Sequence, residues 1–350
     1  MRKLFALLFA AVLSEAVMAQ SLGDFKPKDQ AYGLNKIKNK KLYIAAFSVN
    51  YQVYNEKEDF KQGGRMIGGG AYKGDAKASL SVGLEGLSEA SLQKTTDMLY
   101  NDFITMLKNG GIEIITADEA GKTATYADFT QLNGGKINLA QIPGTLSTTP
   151  TGYDFYVKQV LESGKTKSGG FMGNASFVHP KLSKDLNDAI IADVGLTILF
   201  IEDKNAFDLA GANIKVKTNL RLAANESIIM TKDAKFKLKG QNDVIGVNSS
   251  VAFYSGKMGA GSPSTYIGTM GKSLSIEGVI EDKKLQSFAK NQADYIGVET
   301  AYGRYFNPDN ISSKSTTVIP VDNEKYVAGA YAAGKKFLDF HTAEFLKKIK

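Results

Sequence analysis

The chain has 350 residues, no cysteine and a formal net charge of +7. The absence of cysteine excludes disulfides and cysteine-based zinc sites, so the stability of the fold must come from a buried core. A chain of this length can bury a large core as one or two domains. The positive charge is modest and spread along the chain, which is typical of a soluble protein and does not indicate a nucleic-acid partner.

The N-terminus has the pattern of a secretion signal. Arg2 and Lys3 precede an apolar run over residues 4 to 13, and Val17, Met18 and Ala19 follow. The run is too short to span a bilayer as a helix, and it lacks the regularly spaced polar residues of a buried N-terminal helix. We therefore expect residues 1–19 to be a signal peptide. The exported protein would reach the periplasm, the outer-membrane surface or the extracellular medium.

Residues 20–41 form a polar leader without apolar periodicity, which we expect to be extended or mobile. Its basic stretch, residues 36 to 41, could attract lipid headgroups, polysaccharide or nucleic acid. Such a run is more often a solvated approach to a strand. The pattern therefore favours a lead-in to the first strand of the fold.

The first half of the remaining chain predicts a strand-helix-strand crossover unit. Residues 42 to 54 are rich in aromatic and branched side chains, as in a buried strand. Residues 76 to 85 alternate with period two, and residues 88 to 109 show helical periodicity ending at two glycines. Residues 112 to 116 then form a second core strand. A glycine-rich hairpin around residues 68 to 70 interrupts the crossover.

The periodicity that predicts helices and strands is weaker in the second half of the chain. Up to residue 201 we predict a short helix over 153–162, a glycine-rich loop over 164–173, a helix over 182–191 and a strand over 194–201. An antiparallel meander follows over 214–222 and 227–231 and continues to Phe236 and Leu238. The last predictions are a strand over 247–254, a loop over 256–271, a short helix over 283–291, a strand over 295–300 and a long C-terminal helix capped by Asp322. This mixture of crossover and meander predicts an α+β fold with one mixed sheet. Residues 42–350 would form a single domain, and the alternative is a division near residue 180.

The sequence gives little support for a catalytic or metal-binding histidine. His179 and His341 lie far apart, and neither belongs to a spaced metal-ligand motif such as H-E-x-x-H. The G-x-S-x-G elbow of serine hydrolases is absent. We therefore assign no catalytic, cofactor-binding or metal-ligating residue from the sequence, and we expect no cofactor.

Phosphate and carboxylate motifs are equally incomplete. Three Gly-Lys-Ser/Thr tripeptides, at residues 121–123, 164–166 and 271–273, lack the earlier glycine of a phosphate-binding loop. The adjacent carboxylates Glu202-Asp203 and Glu281-Asp282 would point to opposite faces of a strand. A catalytic pair contributed by distant parts of the chain remains open, although the absence of tryptophan argues mildly against a carbohydrate platform.

The order of elements resembles that of the curli-assembly lipoprotein family. The stretches that carry the similarity are residues 40–47 (KKLYIAAF), 107–115 (LKNGGIEII), 192–194 (ADV) and 219–222 (NLRL), and the helix from Asp322. The similarity covers about half of the chain and is one of pattern. The lipid-anchoring cysteine of that family is absent. The resemblance implies a cell-envelope protein without enzymatic activity that works by assembly or by binding a partner.

Three functions follow as hypotheses. The first is such an envelope protein, with protein partners or a homo-oligomer, and with bilayer contact through residues 61–86 as the less favoured reading of the alternating strand. The second is a monomeric exported protein that binds a glycan or a peptide. The third is a carboxylate-dependent hydrolase. The first two differ in oligomeric state, and the third needs an acid pair in one cleft.

Overall fold

The structure is a computed structural model. It describes residues 21–64, 73–167, 178–204, 211–231, 242–256, 263–290, 297–300, 303–306 and 310–349. The signal peptide expected at residues 1–19, the glycines at 68 to 70, Phe236, Leu238 and most of the loop expected over 164–173 lie outside these residues.

The described part of the chain contains strands, four α-helices and two 3₁₀ turns. The strands are β1 (Pro27–Tyr32), β2 (Lys41–Gln52), β3 (Tyr54–Lys61), β4 (Ala76–Glu85), β5 (Glu113–Ile114), β6 (Thr130–Asn133), β7 (Thr145–Thr148), β8 (Asp154–Val157), β9 (Gln159–Val160), β10 (Thr166–Lys167), β11 (Ile190–Lys204), β12 (Gly211–Leu222), β13 (Glu226–Thr231), β14 (Asn242–Val247), β15 (Ser250–Ser255), β16 (Ser264–Met270), β17 (Leu274–Ser275), β18 (Lys284–Lys290), β19 (Gly297–Thr300), β20 (Gly303–Phe306) and β21 (Ile311–Pro320). The helices are α1 (Glu89–Asn109), α2 (Ala117–Gly121), α3 (His179–Asp185) and α4 (Asn323–Lys348), and the 3₁₀ turns are Leu34–Lys36 and Ala124–Tyr126. The α+β class is confirmed.

The main sheet is built around β11. One side of β11 pairs in parallel with β2, and the other pairs antiparallel with β15 and β12. The sheet continues from β15 through β16 to β1, and from β12 to β17 and β18. On its outer side β2 pairs with β5 at its start and with β7 at its end. The predicted parallel crossover from β2 through α1 to β5 is therefore present.

One face of the main sheet is covered by α1 and α4, and we call it the helical face. Helix α1 begins at Ser88, whose hydroxyl accepts from the Ser91 amide, and ends at Gly110. Helix α4 begins as predicted at Asp322, whose carboxylate accepts from the amides of Glu324 and Lys325. Apolar side chains of both helices join one large core with alternate residues of β2, β11 and β15.

The opposite face carries a smaller core, which we call the tyrosine face. Side chains of Tyr43 and Ile191 from the sheet meet Leu182 and Leu186 from the α3 region. Tyr126 completes this cluster, and its ring stacks on Tyr156 with centroids 4.6 Å apart. The alternation of side chains along β2 and β11 thus serves two separate cores.

A second layer, the β21–β4–β3 sheet, packs on the β12 and β18 end of the main sheet. In β4 the residues Ala76, Ala78, Leu80 and Val82 are buried, as the period-two pattern predicted. They belong to the large core together with apolar residues of β12 and β18. The apolar face of β4 is therefore covered by protein, and bilayer contact through residues 61–86 stays a prediction that would require this face to leave the core.

Five predicted elements are different in the structure. The short helix expected over 153–162 is wrong, because these residues form β8 and β9, with β8 paired to β6. The short helix expected over 283–291 is strand β18, which pairs with β12. The loop expected over 256–271 contains β16 from residue 264 onward, and the helix expected over 182–191 ends earlier, with β11 starting at residue 190.

The physical reason is that partner strands override weak local periodicity. In β18 the inward residues are the small Ser287 and Ala289, while Phe288 faces outward, so an apolar pattern is hidden. In β16 the buried residues alternate correctly, but Gly268 is among them and resembles a loop signal. The strand expected over 247–254 is divided, since Val247 ends β14 and β15 starts at Ser250.

The polar leader is extended, and part of it is a strand. Its residues 27–32 form β1, which pairs antiparallel with β16 at the edge of the main sheet. The basic stretch after it also contacts the fold: Lys40 donates to the Ile349 carbonyl at 2.7 Å, and Lys41 pairs with Glu113 at 3.1 Å. None of the helices described in the structure is long and apolar enough to cross a membrane.

Candidate functional site

The main candidate site is a cavity at a gap along the outer edge of β2. Strand β5 covers the start of that edge, where the Ile115 amide donates to the Leu42 carbonyl at 2.8 Å. Strand β7 covers the edge only from Val49 onward. In the gap between them, the hydroxyl of Tyr153 donates to the Ile44 carbonyl at 3.1 Å. A side chain therefore takes the place of a neighbouring strand, and space remains beside it.

The cavity has a volume of about 270 Å³. Its exposed lining is polar and apolar in nearly equal parts, and two aspartates contribute the charge. The lining residues are Tyr43, Ile44, Tyr100, Ile114, Ile115, Thr116, Ala117, Asp118, Gly152, Tyr153 and Asp154. The three tyrosines come from β2, from α1 and from the turn before β8, so the site forms only when these elements pack together.

Tyr43 lines this cavity, and its hydroxyl is buried in the smaller core beside Tyr126. Tyr43 is 2% exposed, and its hydroxyl makes no hydrogen bond in the structure. Burial raises the pKa of Tyr43, and the neighbouring Tyr126, whose ring centroid is 6.2 Å away, raises that pKa further. Burial likewise raises the pKa of Tyr100 to about 12. Both phenols are therefore neutral near pH 7.

The charge of the cavity comes from Asp118 and Asp154. Asp118 is exposed in the first turn of α2, and Asp154 begins β8. The Asp154 carboxylate accepts from the Asn133 amide group at 2.7 Å and from Gln131 at 3.4 Å. Neither aspartate forms an ion pair among the described residues. The site thus combines aromatic walls with two carboxylates that no protein cation neutralises.

The two histidines lie outside this cavity. His341 of α4 is fully buried on the helical face, where its Nε2 donates to the Thr269 carbonyl at 2.9 Å. Its Nδ1 is therefore unprotonated in the neutral ring and accepts from the Tyr266 hydroxyl at 2.9 Å. Burial lowers the pKa of His341 to about 4. A Cβ at Gly268 would lie 2.5 Å from this ring, so the glycine makes room for it.

His179 lies on the tyrosine face and is less well satisfied. Its Nε2 is 3.7 Å from the Asp193 carboxylate, and its Nδ1 has no hydrogen-bond partner. Burial lowers the pKa of His179, although Asp193 acts in the opposite direction. Burial raises the pKa of Asp193, and His179 opposes that shift. No catalytic triad forms around either ring, since the contacts described for them include no serine between histidine and carboxylate.

A second feature is the open outer edge of β21. The Ile311 amide donates to the Asp75 carbonyl and the Val321 amide to the Glu85 carbonyl, both at 2.9 Å. In a parallel ladder this register directs the odd-numbered residues of β21 toward β4 and the even-numbered ones outward. The residues with outward N–H and C=O groups are Ser312, Lys314, Thr316 and Val318, and all four have exposed side chains. Within the described structure these backbone groups have no strand beside them.

Two other edge strands, β18 and β1, are better protected against pairing with another chain. Strand β18 also directs alternate backbone groups outward, but Lys284 and Lys290 flank that edge. Strand β1 is short, and its outward positions are Pro27, Asp29 and Ala31. Lysines, proline and other charged residues are the usual protection of an edge strand against pairing. Strand β21 carries Lys314 in its middle and Pro320 at its end, so the stretch from Ser312 to Val318 stays open, and Val318 is 57% exposed.

No residue of this cavity was predicted from the sequence, because no sequence pattern marks the lining residues. Asp118, Asp154 and the three tyrosines are separated by as much as 111 positions (154 minus 43), and no local motif joins them. The carboxylate pairs singled out in the sequence serve other contacts: Asp203 pairs with Lys57, and Asp282 pairs with Lys217. Among the described residues, no group of three or more potential ligands could hold a metal ion.

Comparison with known proteins found no similar protein: no family model, no curated protein and no solved structure matches the chain.

Proposed function

We propose that this chain is an exported cell-envelope protein, without enzymatic activity of its own, that acts by assembly or by binding a protein partner. The open edge of β21 carries the proposal. The signal-like N-terminus supports export to the periplasm, the outer-membrane surface or the extracellular medium, and the resemblance to curli-assembly lipoproteins supports the assembly role. Nucleic acid is not part of the proposal.

The physical argument rests on unpaired backbone groups. Four alternate residues of β21 direct both an amide and a carbonyl away from β4. An extended segment of another chain can pair with such an edge and satisfy these groups in regular order. The strand has no bulge and its register to β4 is continuous over ten residues, so it offers an uninterrupted edge from Ser312 to Val318. A second copy of the chain or a different envelope protein could supply the added strand.

The test removes one outward amide without touching the ladder to β4. In Thr316→Pro the missing N–H faces outward, so the strand keeps its bonds to β4. The matched control Thr316→Ala keeps the amide. We expect the purified protein to self-associate with rising concentration in analytical ultracentrifugation. The proline variant should weaken self-association by about tenfold or more, while the alanine variant leaves it unchanged.

Hydrogen exchange covers the case of a different partner. The outward amides of Ser312, Lys314, Thr316 and Val318 should gain protection when exported envelope proteins are added to the wild type, and not to Thr316→Pro. A chain that stays monomeric and whose β21 amides exchange equally fast in both conditions would contradict the proposal. N-terminal sequencing of the exported protein tests the signal separately, since Gln20 should be its first residue.

The cavity is compatible with two other functions. A monomeric exported glycan- or peptide-binding protein would use the cavity, and a monomer with a filled cavity would favour it. A carboxylate-dependent hydrolase would use Asp118 and Asp154, which line one cleft. Hydrolysis of a chromogenic glycoside or ester that Asp154→Asn abolishes would favour the hydrolase over the assembly role.

A further inference from the structure

We propose that the strand added at the open edge of β21 is β21 of a second copy of this chain, paired antiparallel about a twofold axis through Ser315. This pairing rests on the proposed function, because it uses the same open edge, and it specifies the partner and the register. Three observations carry it: the symmetric order of residues along β21, the positions of its one charged residue and its one proline, and the outermost place of β21 in its layer.

The half-buried residues of β21 follow nearly the same order in both directions. They are the odd-numbered residues Ile311, Ser313, Ser315, Thr317 and Ile319. Apolar β-branched residues stand at both ends, and small hydroxyl residues lie between them. An antiparallel copy centred on Ser315 places Ile311 opposite Ile319 of the second copy. Ser313 then faces Thr317, so apolar residues pair with apolar ones and hydroxyls with hydroxyls, as stable neighbouring strands require.

The outward backbone groups of the strand are used in full by this register. The even-numbered residues carry these groups, and antiparallel strands exchange hydrogen bonds between directly opposite residues. With the axis at Ser315, Ser312 bonds with Val318 of the second copy, and Lys314 bonds with Thr316. The twofold axis repeats both pairs, so all four outward residues of each copy find partners.

Lys314 and Pro320 disfavour the neighbouring twofold registers. An axis at Lys314 would place two lysines directly opposite each other, and like charges in that position are destabilising. An axis at Thr316 would place Ser312 opposite Pro320, which has no N–H to donate. Axes farther along the strand pair fewer of the outward residues. The axis at Ser315 places the lysine opposite a threonine and leaves the proline beyond the last pair.

The place of β21 in the fold leaves its edge accessible to a second copy. Beneath the β21–β4–β3 sheet, β12 contacts β3 and β4, and β18 contacts β4 and β21. Strand β21 is therefore the outermost strand at this end among the described residues. The other edge of the same sheet is protected, because the Asn242 side chain donates to the Glu58 carbonyl of β3 at 2.9 Å. Pairing between copies is thus favoured at β21.

Single cysteines test the register, because the chain has no cysteine of its own. In the proposed pair the Cα atoms of the two Ser315 residues are about 4.5 Å apart, within the range of a disulfide. Under mild oxidation Ser315→Cys should form a disulfide-linked dimer at least about tenfold faster than Ser313→Cys or Thr317→Cys. These matched controls lie on the same side of the strand, but each is about 14 Å from its own counterpart.

A mixed sample measures the register a second time. Ser313→Cys mixed with Thr317→Cys should form a crosslinked heterodimer, because these positions face each other across the pair. This sample also decides the case in which Ser315→Cys does not fold. Thr316→Pro added to Ser315→Cys should abolish the crosslink, and Thr316→Ala should keep it. Equal rates for the three single cysteines, or a mixed sample without heterodimer, would overturn the proposal.

Charge at position 316 gives an independent measurement by analytical ultracentrifugation. Thr316 lies opposite Lys314 of the second copy, and the twofold axis repeats this contact. Thr316→Glu should strengthen self-association by about threefold to tenfold, and Thr316→Lys should weaken it by a similar factor. An unchanged dissociation constant in both variants would contradict this register.

Two outcomes separate self-pairing from the proposed function. If another envelope protein protects the outward β21 amides from hydrogen exchange, while the wild type stays monomeric and no cysteine variant crosslinks, self-pairing is refuted and the proposed function stands. If the β21 amides gain protection neither from a second copy nor from another protein, both are refuted.

Discussion

The two faces of the main sheet are built from alternate residues of the same strands, yet they differ in how completely they are closed. On the helical face, α1 and α4 cover a large continuous core, and both nitrogens of His341 have hydrogen-bond partners. On the tyrosine face, the core is small, and one nitrogen of His179 has no partner.

The difference between the two cores bears on the stability of the fold. Buried polar groups normally find partners, because an unsatisfied one costs about 1–3 kcal/mol. The helical face follows this rule at its histidine. The tyrosine face leaves His179 Nδ1 and the Tyr43 hydroxyl without partners, and the helical face leaves the hydroxyls of Tyr326 and Thr342 without them. The faces therefore differ mainly in the size of their cores, and we expect substitutions in the large core of the helical face to lower stability more than those in the small core of the tyrosine face.

The largest expected effect is at the centre of the helical face. The ring of Phe345 is fully buried and stacks on Phe253 with centroids 3.9 Å apart. Phe345→Ala should lower the free energy of unfolding by about 3–5 kcal/mol, because it leaves a cavity in a closed core. Phe129→Ala, a partly buried ring on the tyrosine face, should cost clearly less in the same denaturant titration. Equal losses would remove the distinction between the faces.

The second effect depends on pH and comes from His341. Its pKa is about 4 in the folded protein, below the usual 6.5, mainly through burial. Between these values the unfolded state binds more protons, so stability rises with pH. The contribution is complete above pH 6.5 and is lost as the pH falls through about 4, with a total of about 3 kcal/mol.

His341→Gln provides the comparison for this prediction. Its stability between pH 6.5 and 4, measured by urea unfolding, should fall less steeply than that of the wild type. Other carboxylates titrate in both proteins, so the difference between the two curves isolates the histidine. Parallel curves would show that His341 does not link folding to protonation.

The smallest effects come from a matched pair of hydroxyl deletions. Tyr266→Phe removes the donor to His341 and leaves a buried nitrogen unsatisfied, which should cost about 1–3 kcal/mol. Tyr43→Phe removes a hydroxyl without a hydrogen bond, so stability should change by less than about 0.5 kcal/mol or rise. A large loss in Tyr43→Phe would mean that its hydroxyl is satisfied in the folded protein.

Much of the fold could be predicted because strong periodicity coincides with burial. The strand at β2, the alternating strands β4 and β12, and helices α1 and α4 were all predicted close to their observed bounds. Each has several apolar residues at one spacing, and both long helices begin at a side-chain cap, Ser88 or Asp322. Strand β18 was missed because its fully buried residues, serine and alanine, give little hydrophobic signal, and β16 was missed because Gly268 stands between its buried Tyr266 and Met270.

The sequence by itself determined the fold class, the long elements and the expectation of export, since these depend on local composition and spacing. Only the tertiary structure decided where the cavity and the open edge lie. The cavity exists because β5 is short and β7 starts late along β2, so that Tyr153 and Tyr43 meet Asp118 and Asp154 in the gap. The β21 edge is open because β21 pairs with β4 on one side, and pairing between segments more than 200 positions apart depends on packing that no local pattern records.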